Sequence, residues 1–177
     1  MGIRMEIRDD LNFFFNPKAV AVIGATERPG SWGSAMMGNL LSRKFGGSIY
    51  PVNRHAERIF DVPAFKDIRE IPGPVDLAVL TIPEQSVEET IKACGEKQVK
   101  GIIIVTAGFG ETSERGLDRE KAMVKLAHAL GMRLVGPNVS GVFNLHENFA
   151  ARGGVPKRSW PPPLPPSARG ALPSRTS

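Results

Sequence analysis

An α/β fold is predicted by three observations. Apolar runs of strand length recur along the chain: AVAVI at 19–23, IYPV at 49–52, VDLAVLTI at 75–82 and GIIIV at 101–105. Amphipathic stretches of helical length separate them. The runs are apolar at nearly every residue rather than at alternate ones, which is the pattern of strands covered on both faces. Strands that alternate with helices pair in parallel through right-handed crossovers. The prediction is therefore a Rossmann-like, doubly wound sheet of about five parallel strands with helices on both faces.

Each element has its own reason. The apolar cluster at 11–15, ahead of Pro17, reads as a cover for the edge of the core, with an exposed partner patch as the alternative. Strand one covers 18–24. A helix follows over 33–44, with Met36, Leu40 and Leu41 inward, and Gly46 and Gly47 end it. Strand two is 48–52 and leads into a polar loop at 53–58. Residues 65–71 read as a short helix, broken by the Pro-Gly-Pro around Gly73. Strand three, 75–82, is stopped by Pro83. The helix at 84–97 carries Val87, Thr90, Ile91 and Cys94 on one side. Strand four is 100–106, and a small-residue turn spans 107–110. A helix at 117–130 and a short strand at 133–135 then run into GPNVSG at 136–141.

The 177 residues suit one core-bearing domain with something added at each end. The reading is an N-terminal extension at 1–16, the α/β domain at 17–150 and a tail at 151–177. Cys94 is the only cysteine, so there is no disulfide framework and a cytoplasmic setting is expected. The N-terminus lacks the apolar core of a signal peptide, and Glu6 stands where a myristoylation motif needs Ser or Thr. The apolar runs are too short to span a membrane. The net charge is +5, but no acidic residue follows Glu147, whereas Arg152, Lys157, Arg158, Arg169 and Arg175 do. Without those five, 18 basic residues face 18 acidic ones, so no basic groove for nucleic acid is expected. The tail holds seven of the 15 prolines and cannot build a core, so it is expected to be disordered. Its PPPLPPSAR run has the look of a polyproline ligand. Its Arg, Pro, Ser, Gly and Ala bias is also what out-of-frame reading of GC-rich DNA yields, and that is the preferred account.

Function centres on 18–33, KAVAVIGATERPGSWG. A strand, a glycine turn and a helix N-terminus in that order make a corner for an anion, because free N–H groups and the helix dipole point out of it. The spacing of Gly24, Gly30 and Gly33 is longer than GxGxxG, which argues against an ordinary NAD site. Strand two ends in Asn53, Arg54 and His55, where an NAD domain usually places an acid for the ribose hydroxyls. A cation there suits an extra ribose phosphate, as in NADP or coenzyme A; an ordinary solvated arginine is the equal alternative. The loops after residues 23, 52, 82, 106 and 135 all fall at one sheet edge, where such sheets bind ligands. No catalytic residue and no metal site is expected. His55, His128 and His146 lack a nucleophile setting, and Glu27, Glu111 and Glu114 border the site without pairing as acid and base. Cys94, on an inward helix face, is expected to be buried and inert.

Several segments together carry a resemblance: FFFNPKAVAVIGATERPGSWG, IYPVN, PGPVDLAVLTIP, VTAGF, and GPN with Gly141 and Asn144. Over 11–149 the chain resembles the CoA-binding domain of the NDP-forming acyl-CoA ligases. These are the ADP-forming acetate–CoA ligases, similar to the alpha subunit of succinyl-CoA synthetase. The resemblance implies coenzyme A as ligand. Gly24, Thr26, Glu27, Arg28, Pro29 and Gly30 would wrap its nucleotide, and Arg54 would lie near the 3′-phosphate. Ile82 and Pro83 would line the adenine or pantetheine path, Ala107 and Gly108 would admit the pantetheine arm, and Asn138 would brace the loop near the thiol. For Pro83, Gly108 and Pro137 plain turn chemistry is the bland alternative. Val139 departs from the family's cysteine in GPNC. The phosphohistidine and nucleotide-grasp domains of the family have no counterpart in this sequence. The expectation is a CoA-binding, truncated part of an ADP-forming ligase, inactive alone, whose partners are CoA and possibly the missing ligase and nucleotide-grasp domains. A free-standing CoA-binding regulatory module and an NADP-binding domain of an oxidoreductase are the alternatives.

Overall fold

The computed structural model describes residues 11–153; the rest of the expected N-terminal extension and of the expected tail lies outside the described residues. A short helix α1 (Asn12–Phe15) precedes β1 (Ala19–Ile23), α2 (Trp32–Ser42) and β2 (Ser48–Val52). A small hairpin, β3 (Arg58–Ile59) and β4 (Val62–Pro63), leads to β5 (Leu77–Leu80) and α3 (Val87–Glu96). Then come β6 (Gly101–Ile104), α4 (Glu114–Ala129), β7 (Arg133–Val135) and a second hairpin, β8 (Gly141–Asn144) with β9 (Phe149–Arg152).

The central sheet has five parallel strands in the order β2-β1-β5-β6-β7. The chain grows outward from β1 to β2, then crosses back to β5. Strand order therefore reverses between β1 and β5, and a crevice opens beyond their C-terminal ends. Alternate strand residues feed two cores, as the two-residue side-chain period requires. Ala21, Ile23, Ala78, Leu80, Ile102 and Ile104 meet Val87, Ile91 and Cys94 of α3 and Met123 and Ala127 of α4. Val20, Val22, Leu77, Val79 and Ile103 meet Met36, Met37 and Leu40 of α2.

The second face is only partly helical. Phe149 and Ala151 of the β8–β9 hairpin are fully buried there, with Phe14 of α1. Asn39 Nδ2 of α2 donates to the Arg152 carbonyl at 2.6 Å, so β9 is tied to α2 through the boundary expected at 150. The expected elements end at 141, so this hairpin is an addition to them.

Two further corrections bear on the site. Residues 65–71 are not a helix: one 3₁₀ turn, Ile68–Glu70, is all the helix there. Phe65 instead forms a parallel bridge with Val52, continuing the ladder of β2. The polar loop at 53–58 runs on into the β3–β4 hairpin, whose turn residues Phe60 and Asp61 have φ of 48° and 59°. Positive φ at both central residues is the primed turn that matches strand twist. Elsewhere α4 begins at Glu114 rather than 117, because Ser113 caps it by accepting the Gly116 N–H at 3.1 Å.

Candidate functional site

The glycine corner is made by close backbone approach. Gly24 takes φ of 90°, a conformation that favours glycine, and its N–H donates to the Val52 carbonyl at 3.0 Å. A Cβ on Gly33 would land inside the Gly24 carbonyl oxygen, so α2 can seat its first turn on the end of β1 only with glycine there. The loop between them is tied to itself. The Thr26 hydroxyl accepts the Arg28 N–H at 3.3 Å, and Ser31 Oγ donates to the Arg28 carbonyl at 2.7 Å. Ser31 also caps α2, accepting from Ser34 N–H at 3.3 Å. Glu27 turns away from the helix end: its Oε1 accepts the Phe60 N–H of the β3–β4 turn at 2.5 Å.

At the strand reversal lies a cavity of about 360 Å³. Ile23, Val52, Ile68, Ile82 and Ala93 give it apolar surface; Arg54, His55, Lys66, Asp67 and Arg69 line it on the β2 side, and Ser86, Glu89 and Thr90 on the α3 side. Asn53 fastens the β2 side to the glycine corner. Its Nδ2 donates to the Ala25 carbonyl at 2.8 Å, while its Oδ1 accepts the N–H groups of His55 (2.8 Å) and Ala56 (3.1 Å). Arg69 grips both oxygens of Asp67, each at 2.8 Å, and also reaches Glu96 at 3.2 Å. The hydrogen bond from Arg69 holds the Asp67 carboxyl below the usual carboxylate range, against a smaller opposing effect of burial.

A wider cleft of about 730 Å³ opens at the opposite, N-terminal edge, between Lys18, Asp76, Lys100 and Arg133. Asp76 there is already engaged by Lys100 Nζ and Lys18 N–H at 2.8 Å and by Ala19 N–H at 3.2 Å. Burial opposes its ionisation, but those bonds outweigh it and keep its pKa low. That cleft lies away from the strand ends where parallel sheets bind ligands. The smaller cavity is the better candidate.

Of the residues expected at the site, Gly24, Arg54, Ile82 and Pro83 line this cavity together. Thr26, Glu27, Arg28, Pro29 and Gly30 are outside its lining, in the neighbouring loop. Ala107, Gly108 and Asn138 follow β6 and β7 along the same edge. There the Glu111 carboxylate accepts the N–H groups of Gly108 (2.5 Å) and Phe109 (3.2 Å), and its pKa is kept low by the Gly108 bond first and by its own backbone N–H second. Asn138, at φ of 57°, donates its N–H to the Thr106 carbonyl at 3.1 Å and so joins the ends of β6 and β7. Cys94 is buried and its thiol is pushed up to about 12, by burial first and by the Asp67 charge second, so it is no nucleophile at neutral pH. Among the described residues no three His, Cys, Asp or Glu converge as a metal site.

Sequence reasoning missed Asn53 as a brace, and Lys66, Asp67 and Arg69 as cavity residues. The only signal for the last three was a bridge between Val52 and Phe65, which no local pattern announces.

The chain matches the family described as "CoA binding domain" over residues 18–144. It is 48% identical over 141 residues to the "Acetate--CoA ligase [ADP-forming] II subunit alpha" of Pyrococcus furiosus, a match covering 80% of this chain and 31% of that protein. It is 39% identical over 130 residues to the "4-hydroxybutyrate--CoA ligase [ADP-forming]" of Nitrosopumilus maritimus, covering 73% of this chain and 18% of the relative. The solved structure of the "dinucleotide forming Acetyl-coenzyme A synthetase 1" of Ca. Korarchaeum cryptofilum, in complex with phosphate and ADP, superposes with a TM-score of 0.78 at 35% identity. That superposition covers 81% of this chain and 31% of the other. The chain thus spans less than a third of the length of these relatives.

Proposed function

The chain belongs to the CoA-binding domain family, and on that premise we propose that the cavity between β1, β2 and α3 holds the 3′-phosphorylated adenosine of coenzyme A. The observation that carries this reading is the pairing of an apolar floor, Ile23, Val52 and Ile82, with an exposed guanidinium, Arg54, at the point where strand order reverses. Adenine needs the first and a ribose phosphate the second. The diphosphate would lie along the loop from Gly24 to Gly30, over the N-terminus of α2. The pantetheine arm would follow Pro83, Ala107 and Gly108 towards Asn138. In this reading CoA is a substrate that comes and goes rather than a resident cofactor. The acid–CoA ligation named for the relatives is assigned to a protein carrying this domain together with the rest of their length, and this segment supplies its CoA-holding part.

Titration calorimetry with CoA, dephospho-CoA, NADP and NAD tests the reading. CoA binds and NAD does not; binding of NADP without CoA would overturn the proposal. Arg54→Met weakens CoA by about tenfold, as expected for a charge-assisted hydrogen bond, and barely changes dephospho-CoA. Equal losses for both ligands remove Arg54 from the 3′-phosphate.

A further inference from the structure

We infer that Lys66 is a second cation for the ribose phosphate, and that Arg54 and Lys66 together make the cavity select adenosine ligands phosphorylated on the ribose. The inference rests on the reading that the cavity holds CoA, and it adds a residue that the glycine corner and strand two do not predict.

The backbone brings the two cations together. Phe65 N–H donates to the Pro51 carbonyl at 3.0 Å, and Asn53 N–H donates to the Phe65 carbonyl at 2.9 Å. Residues 65–66 therefore run beside the end of β2 like one more strand, and Lys66 comes to the same cavity as Arg54. The Lys66 backbone is itself held, its N–H donating to Glu70 Oε2 at 3.2 Å. Both side chains are exposed, and neither enters an ion pair among the described residues.

The carboxylate that lines the cavity beside Lys66 is already hydrogen-bonded. Asp67 follows Lys66 in the chain, and Arg69 clamps both of its oxygens. Arg69 takes the hydrogen bonds of that carboxylate, and Arg54 acts on it only through its charge, as the last and smallest cause of its lowered pKa, so Arg54 and Lys66 keep their donors for a ligand. On the α3 side Glu89 lines the cavity and enters no ion pair among the described residues, so a phosphate dianion is disfavoured there and favoured at Arg54 and Lys66. The two cations also divide the task chemically. A guanidinium offers a planar fork to two phosphate oxygens, whereas an ammonium is a mobile point charge that needs no fixed approach.

The test is calorimetry on wild type, Lys66→Met and Lys66→Arg with CoA and dephospho-CoA, at low and high salt. Lys66→Met weakens CoA by about fivefold, the upper end for an exposed ion pair, and leaves dephospho-CoA within about twofold. Lys66→Arg keeps most of the affinity. The salt dependence of CoA binding becomes shallower in Lys66→Met, because one screened attraction is gone. A Lys66→Met protein that binds CoA like wild type, or that loses both ligands equally, overturns the inference while leaving the CoA reading in place. A wild-type protein that binds neither ligand overturns both. Thermal melting of each variant verifies the fold, which an exposed lysine does not hold together.

Discussion

At the glycine corner backbone lies directly against backbone: Gly33 sits on the Gly24 carbonyl, and Gly24 itself packs against the Thr81 carbonyl. Across the cavity the segment after β2 joins the sheet by backbone bonds at Phe65 and is otherwise held by side chains. Asn53 reaches the Ala25 carbonyl, Arg69 clamps Asp67, and the Phe60 N–H rests on Glu27. At Gly24 and Gly33 the first wall has no side chain of its own to trade, so changes there act on the fold. The second is an assembly of separable contacts, so changes in it act on the ligand or on the joint between the walls. Arg54 and Lys66, the two residues assigned to the phosphate, both belong to the second wall.

The largest effect that this comparison implies is at Gly33. Gly33→Ala drives a methyl into the Gly24 carbonyl and forces α2 off β1, which costs about 3 kcal/mol or more, the upper range of overpacking. Gly30→Ala is the contrast, because nothing lies within 4 Å of its added Cβ and only φ of 78° opposes it. It costs about 1–2 kcal/mol, the usual penalty of a left-handed residue. Urea midpoints measure both. Equal stabilities would mean that the corner can relax, and the distinction between the walls would fall.

Asn53 comes next, since it is the joint. Asn53→Ala leaves the Ala25 carbonyl and the His55 and Ala56 N–H groups without their partner. In this half-buried place the cost is about 2 kcal/mol. The loss is expected in CoA affinity as well as in the denaturation midpoint, because both walls move apart. Asn53→Asp keeps the acceptor for the two N–H groups and loses the donor to Ala25, so it falls between wild type and Ala. A variant that loses stability but binds CoA as before would show that the cavity tolerates the opened joint.

The two walls also differ in how far the sequence reveals them. The corner is punctuated by residue types tied to backbone geometry, so Gly24, Gly30 and Gly33 stand out along the chain. The second wall is misread because Phe65, Ile68 and Ile71 recur at helical spacing and all three pack in or against the core. They do so from a bridge, a 3₁₀ turn and an extended residue, not from a helix. The partnership of Val52 with Phe65 skips a whole hairpin, and nothing local encodes it. The β8–β9 hairpin escaped for a related reason. Its turn, around His146 and Asn148, carries neither Gly nor Pro, and Asn148 supplies the left-handed residue at φ of 52°. The parallel sheet was legible because strands buried on both faces need no partner to announce themselves.

The smallest effect is the most discriminating, because Glu27 belongs by sequence to one wall and by contact to the other. The resemblance places it among the residues that wrap the nucleotide, yet a carboxylate repels a diphosphate. Its Oε1 is engaged by the Phe60 N–H at 2.5 Å, which pins the loop of the corner to the β3–β4 turn. A bracing role and a ligand-contact role separate under two substitutions. Glu27→Gln keeps an acceptor for Phe60 and removes the charge, so stability changes by less than about 0.5 kcal/mol and CoA binds as well as before, or slightly tighter at low salt. Glu27→Ala releases an N–H that water can reach, costs about 0.5–1 kcal/mol, and weakens CoA by about twofold through a looser loop. A tenfold loss of CoA affinity in Glu27→Gln, with stability unchanged, would place the carboxylate on the ligand itself. The two walls would then meet through bound CoA rather than through Phe60.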